Sequence, residues 1–376
     1  MMWILLGLTT MGLILITLHF FTRKSKTGKV YFPYIKRKTE NGNQKFPLHL
    51  YVAICNHYSP FWNGVSQEIA EHRVITWCRE YRNFANKHRD SNGKRPVHTI
   101  FYDEQQYNAK FLDSFSKLCW EGLADVELLL ESGGNSGEQF SRRIEDFRDV
   151  LFHHHGLLRK DRFGEIRFGA IHKSTSANKS AITVQDNTEL FSILKSSGCL
   201  ALFNSPYTHK SSQKEEHNGI YFIPQNGYDD LNSKRTLVFA GLDKWIDNEL
   251  LYIQGPMALN WRNRVCGLIP RVEDGELGNW AKVTPQRVQL WVKCPVKLQG
   301  ISNHIFIKLH TFGAVDSNVR YIFGENGYHS LCSELEQKYN DGERYKLHYV
   351  SAYQMYSKIR QLCLKEKMAG NTQNTP

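Results

Sequence analysis

From residue 47 onward the chain alternates between short apolar runs that end in polar clusters and longer stretches whose apolar positions fall three and four residues apart. The first run, Leu48 to Cys55, closes on Asn56, His57, Tyr58, Ser59 and Pro60 and predicts a strand with a polar C-terminal end. Ile69, Val74, Trp77, Tyr81 and Phe84 then repeat at helical spacing over Val65 to Asn86. A second strand is expected over His98 to Tyr102. The helix after it spans Gln105 to Glu121, with Phe111, Leu112, Phe115 and Leu118 on one face and Gly122 as its stop. Val126 to Leu130 reads as a third strand, with Glu131, Ser132, Gly133, Gly134 and Asn135 at its end. Ser136 caps the next helix, which carries Phe140, Ile144, Phe147, Val150 and Leu151 and closes at His153, His154, His155 and Gly156.

The same alternation continues through the second half. Phe168 to Ile171 is a strand with His172 at its end, the polar run Lys173 to Ser180 follows, and Asn187 to Ser197 is a helix. Cys199 to Phe203 is a strand before a polar loop from Asn204 to Asn218. Ile220 to Ile223, Thr236 to Phe239 and Leu250 to Gln254 carry strand signals, and Pro285 to Val292 is a helix. The stretch from Asn303 to Ala314 organises the rest: Ile305, Phe306, Ile307 and Leu309 form a buried strand, and His310 and Thr311 make its C-terminal end polar before Gly313 turns the chain. Tyr345 to Val350 is the last strand, and Ser351 caps a helix from Ala352 to Leu364. Strand, polar end and helix repeated in this way predict a (β/α) barrel of about seven strands over residues 47–364, with function at the strand C-termini. A doubly wound open sheet is the alternative. The polar residues 365–376 are expected to be disordered.

The first residues change the picture. Met1 through Phe21 contain no formally charged side chain apart from a titrating His19, which predicts a membrane-spanning helix over residues 1–22. A secretory signal would need positive charge before the apolar run and small residues at a cleavage site, and neither is present. Arg23, Lys24, Lys26, Lys29, Lys36, Arg37 and Lys38 follow the span. Residues 23–46 therefore read as a basic juxtamembrane linker lying against anionic lipid, with a single-pass anchor and the domain on the cytoplasmic side. The formal charge of +11 favours acidic partners such as lipid headgroups, acidic glycans or phosphates, although a plain basic surface gives the same number. No helix-turn-helix, zinc-finger or ribonucleoprotein pattern is present, so no nucleic-acid partner is expected. The eight cysteines stand singly, without Cys-x-x-Cys or zinc spacing, as suits reduced thiols. No glycine-rich nucleotide motif follows any strand.

Candidate chemistry lies at the strand ends. His310, at the end of its strand, either serves a site or bonds a nearby carbonyl as a core residue. The three consecutive histidines cannot converge on one ion, because neighbouring helical positions point about 100° apart, and they suit a helix C-terminus. Lys308 faces away from Ile307 and Leu309, so its ammonium is expected to meet a carboxylate.

The order Asn56-His57-Tyr58-Ser59-Pro60-Phe61-Trp62, Val126 to Ser132, Ile171-His172, Gln254-Gly255-Pro256, Ile307-Lys308-Leu309-His310-Thr311 and Leu347-His348-Tyr349-Val350 resembles a bacterial branch of the polysaccharide deacetylase (NodB-like) superfamily, over roughly residues 47–362. The resemblance implies a distorted (β/α) barrel. It also implies metal-assisted amide hydrolysis, in which an aspartate and two histidines hold a divalent metal, a carboxylate base activates water and a histidine assists the leaving amine. This chain departs from that pattern: Asn56 stands where an acid is implied, Leu129, Glu131 and Ser132 replace a histidine-rich motif, Asn178 replaces a further acid, and Phe312 replaces a second histidine. The family-equivalent cleft is then Asn56, His57, Glu131, His172 and His310. Two functions follow from the resemblance. One is a membrane-anchored, catalytically degenerate binding or scaffolding subunit of a membrane assembly, with no metal cofactor. The other is an active carbohydrate N-deacetylase acting on glycan or glycolipid precursors, with a zinc-like divalent metal rebuilt on Glu131, His172 and His310.

Overall fold

The computed structural model describes residues 45–131, 136–173, 188–204, 218–223 and 238–370. The anchor expected over residues 1–22 and nearly all of the linker after it lie outside these residues, as do Ser132, Asn178 and residues 371–376. The first part of the tail expected to be disordered, residues 365–370, instead continues the terminal helix to Gly370. Among the described residues no helix is long and apolar enough to cross a membrane.

The fold is mixed α/β around one large, mainly parallel sheet. Strands β1 (Leu48–Tyr58), β2 (His98–Asp103), β3 (Ala124–Glu131), β5 (Ile166–Lys173), β6 (Cys199–Leu202) and β9 (Leu250–Ile253) follow one another in parallel. Strand β14 (His304–Thr311) lies on the other side of β1 and pairs with it along its whole length, His49 opposite His304 through Asn56 opposite Thr311. The first strand is long enough to serve two further neighbours: its upper half pairs with β2 and its lower half with β15 (Tyr345–Tyr349).

Helices α1 (Gln67–Ala85), α2 (Ala109–Trp120), α3 (Gly137–His155), α4 (Thr188–Ser196), α5 (Pro285–Lys293) and α7 (Gly327–Tyr339) follow strands, with the short α6 (Asp316–Val319) between α5 and α7. Alternation along the strands separates two apolar layers. Leu48, Leu50, Val52 and Ile54 pack with the helices, whereas Tyr51, Ala53 and Cys55 face inward. That inner face is covered by the terminal helix α8 (Ala352–Gly370), whose Ala352, Met355, Ile359 and Cys363 are fully buried at helical spacing.

Among the described residues the expected barrel is not closed by strand pairing. The hydrogen-bonded path is open and runs from β12 (Glu276–Leu277) to β8 (Val238–Phe239). Both edges that closure would join are occupied: β7 (Ile220–Ile223) pairs antiparallel with β9, and β12 pairs with β14 on the side away from β1. Short accessory strands account for the higher strand count: β4 (Arg159–Lys160) pairs with β5, and β13 (Val296–Lys297) with β14. A separate antiparallel pair, β10 (Ala258–Val265) with β11 (Ile269–Glu273), stands off the main sheet.

Local chemistry sets several boundaries. Ser136 caps α3 as expected, its hydroxyl accepting from the Gln139 N–H, and Gly156 ends that helix in the left-handed region at φ 64°. The second helix begins at Ala109 instead of Gln105, because the Asn108 side chain accepts from the Phe111 N–H and Asp103 caps a separate turn before it. The three histidines diverge: His153 and His154 are exposed, while buried His155 meets the Asp113 carboxylate at 2.9 Å.

Candidate functional site

Because side chains alternate along a strand, the residues that share the inner face at the strand C-termini can be identified from the packing below them. Cys55 and Phe101 face inward, which places His57 and Asp103 on the same side. Leu129 does this for Glu131, Ile171 for Lys173 and Phe306 for Lys308 and His310. The structure thus gathers His57, Asp103, Glu131, Lys173 and His310 around the inner strand ends. Asn56 and His172 belong to the opposite face. His172 stands edge-on to Phe140 of α3, at 6.2 Å between ring centroids, and neither of its ring nitrogens has a hydrogen-bond partner among the described residues.

His57 and His310 lie 5.9 Å apart between ring centroids, and the Phe312 ring sits 5.0 Å from His57. Burial, reinforced by the neighbouring His310, Lys308 and Lys173, holds His57 well below the usual histidine range. Burial, with Lys308 and Arg287 adding to it, brings His310 down to about 3. Both rings are therefore neutral at physiological pH. Burial alone lowers His172 to about 4.

Asp103 is committed to its neighbours. Its carboxylate accepts from the Ser59 hydroxyl at 2.7 Å and from the Lys173 ammonium at 2.5 Å, with only 2% of its side chain exposed. Glu131 is half-buried at the rim, where its main-chain carbonyl accepts from Arg143. Arg143 also pairs with Glu104 at 2.8 Å, and burial raises the Glu104 carboxyl to about 7 against that attraction. Asn56 is turned to the turn after β14. Its amide oxygen accepts from the Gly313 N–H at 2.7 Å, and a Cβ on Gly313 would lie 2.7 Å from Asn56 Cγ, so a larger residue there would displace the amide.

Lys308 departs from the sequence expectation. Its ammonium donates to the main-chain carbonyls of Phe203 at 2.5 Å and Asn204 at 2.9 Å rather than to a carboxylate, because β14 carries it into the interior beside the end of β6. Burial lowers its pKa to about 8, opposed by the nearby Cys55. Between that value and the ordinary 10.5 the unfolded chain binds the extra proton, so this residue's contribution to stability rises with pH. The free energy of unfolding of the native protein minus that of Lys308→Met should increase by ~3 kcal/mol from pH 7 to 10.5. A difference that stays flat across that range would contradict the burial argument.

The loop between β11 and β12 adds acids to the rim. Ligand atoms of Asp274, Glu276 and His310 all lie within 4.8 Å of one another. Gly275, between the two acids, accepts from the His310 N–H at 2.8 Å. Arg287 donates to the carbonyls of Asp274 at 3.3 Å and Glu276 at 2.8 Å, and the Trp291 indole donates to that of Asp274 at 2.8 Å. Burial raises the Glu276 carboxyl, opposed by a hydrogen bond from Trp280 and helped by the charge of Asp274.

Sequence reasoning missed Asp103, Lys173, Asp274 and Glu276. Asp103 was legible in principle, since it lies two residues beyond an apolar Phe101, in step with His57. Asp274 and Glu276 flank a glycine in a stretch without strand or helix periodicity, so nothing local tied them to His310.

No family model and no curated protein matches the chain. Among solved structures it is similar to a 4-alpha-glucanotransferase from Thermococcus litoralis, at 13% sequence identity and a TM-score of 0.47. That match covers 82% of this chain and 40% of the other, so the chain spans about two fifths of the length of that protein.

Proposed function

We propose that the chain is a catalytically degenerate, polysaccharide deacetylase-like module that holds a carbohydrate at its inner strand ends without cleaving it, tethered to a membrane assembly by its N-terminal segment. The observation that carries this reading is the fate of Asn56. Where the resemblance implies an acid, the chain has an amide whose oxygen is spent on the Gly313 N–H. Asp103, the inner-face acid at the end of β2, already accepts from both Lys173 and Ser59 through Oδ2 and would have to give up these bonds to serve a water. Neutral imidazoles, a buried ion pair and an acidic rim can still exchange hydrogen bonds with hydroxyl groups.

In this reading β1, β2, β3, β5, β6, β9 and β14 form the wall of a distorted barrel with a seam between β9 and β14. Just after β9 the two approach closely, a Cβ on Gly255 lying 3.0 Å from the Lys308 carbonyl of β14. Residues 1–22 are the proposed single-pass anchor and Arg23 to Lys38 the contact to anionic lipid, with the domain cytoplasmic.

Titration of N-acetylglucosamine oligomers onto the purified protein should show saturable binding. Acetate release should stay at background with zinc or manganese supplied, since loss of a general base costs ~100- to 10,000-fold in rate. Asn56→Asp alone should not restore turnover. A second reading, an active metal-dependent N-deacetylase of glycan or glycolipid precursors, is favoured by the meeting of Asp274, Glu276 and His310. Sustained acetate release would decide for it.

A further inference from the structure

From the sequence no metal is expected, because Asn56, Leu129, Glu131 and Ser132 offer too few ligands, and a rebuilt site, if any, falls on Glu131, His172 and His310. In the fold His310 meets two other acids, brought from a loop more than thirty residues earlier, and His172 faces the helices. We infer that Asp274, Glu276 and His310 form a site for one divalent cation of the zinc or manganese class, at the rim of the inner strand ends.

Three features of the structure support this. The donor set is mixed, two carboxylates and one buried imidazole, which suits a borderline cation better than calcium or magnesium, whose ligands are oxygens. The backbone that carries both acids is fixed before any ion arrives, through the His310 N–H on Gly275 and through Arg287 and Trp291 on the carbonyls of Asp274 and Glu276. The adjacent guanidinium does not neutralise the pair: Arg287 forms its ion pair with Glu273 at 2.9 Å, and no ion pair to Asp274 or Glu276 is formed among the described residues. Two carboxylates held this close repel each other, and a cation between them removes that cost.

Three protein donors leave coordination positions open, so the ion is placed to take a hydroxyl or carboxylate of a ligand. This last step rests on the proposed carbohydrate-binding reading, whereas the cation site itself does not.

The test is calorimetric titration of zinc and of manganese into the chelator-stripped full chain, with no glycan present. We expect about one equivalent bound per chain. Asp274→Asn and Glu276→Gln should each weaken binding at least ~10-fold, the least that loss of even an outer-shell partner costs. Both replacements keep side-chain shape and leave the Arg287 and Trp291 contacts in place, so thermal midpoints without metal should match the native protein. Glu131→Gln and His172→Gln should leave the affinity unchanged. Absence of saturable binding, binding insensitive to both loop variants, or binding lost on Glu131→Gln would each overturn the site. Failure here with oligosaccharide binding intact removes the cation site alone, and the converse removes only the carbohydrate reading.

Discussion

Arg159→Met should destabilise the protein by about 3–5 kcal/mol, the usual cost of stripping one partner from a buried ion pair. The guanidinium donates to Glu127 at 2.5 Å and to Asp125 at 2.9 Å, and it lies 3.9 Å over the Tyr353 ring. Glu127 is wholly buried on the inner face of β3, and its second oxygen accepts from the Gly169 N–H at 2.5 Å. Burial outweighs the attraction of Arg159 and raises the Glu127 carboxyl to about 7, so without the arginine this group protonates or drags water inward. Asp125 in turn accepts from the Ser351 hydroxyl at 2.9 Å, at the start of the terminal helix. Denaturant titration of the variant checks the magnitude. Glu127→Gln in the same background should recover part of the loss, because the stranded charge is then gone. No recovery would mean that packing of the guanidinium over Tyr353 stabilises the fold more than its ion pairs do.

Trp77→Ala should cost about 3–5 kcal/mol by a different route, the cavity left by a large core side chain. Trp77 is fully buried on the inward face of α1 and sits at the centre of an aromatic cluster. Its ring stacks on Tyr81 at 5.0 Å and meets Tyr58, Phe115 and Phe323 edge-on at 6.2, 5.9 and 6.1 Å. These partners come from β1, from α2 and from the segment before α7, so the indole joins three parts of the outer layer. The indole N–H has no partner among the described residues, and Trp77→Phe should therefore recover most of the stability. Equal losses for Phe and Ala would show that the ring's shape, not its bulk, is what the cluster requires.

The elements were legible where a single face decides them. Leu48 to Cys55 is apolar at nearly every position, as a strand covered on both faces must be, and Phe111, Leu112, Phe115 and Leu118 form one helical stripe. Closure of the barrel was not legible, because it depends on which strands take the edges of β9 and β14, and these are β7 and β12, four and two residues long, whose pairings no local pattern records. The site divides in the same way. His57 and His310 could be paired from their positions at strand ends. Asn56 and His172 join them only in sequence order, which ignores the period of two, and one residue along a strand is the opposite face. Lys308 is legible as an inward cation from the alternation around it. Its partners are main-chain carbonyls, which carry no signature in the sequence.

The two-sided pairing of β1 also sets a timetable. The strand begins at residue 48, yet its companions β14 and β15 begin at residues 304 and 345, and the helix that covers its inner side begins at residue 352. A growing chain can lay β2, β3, β5 and β6 beside it and pack helices on their outer side, but the helix that packs over Tyr51, Ala53 and Cys55 follows only from residue 352. Pairing of β1 with β14 and β15 therefore closes loops of roughly 250 to 300 residues, contacts of long sequence separation that form slowly and leave apolar strand surface exposed in the meantime.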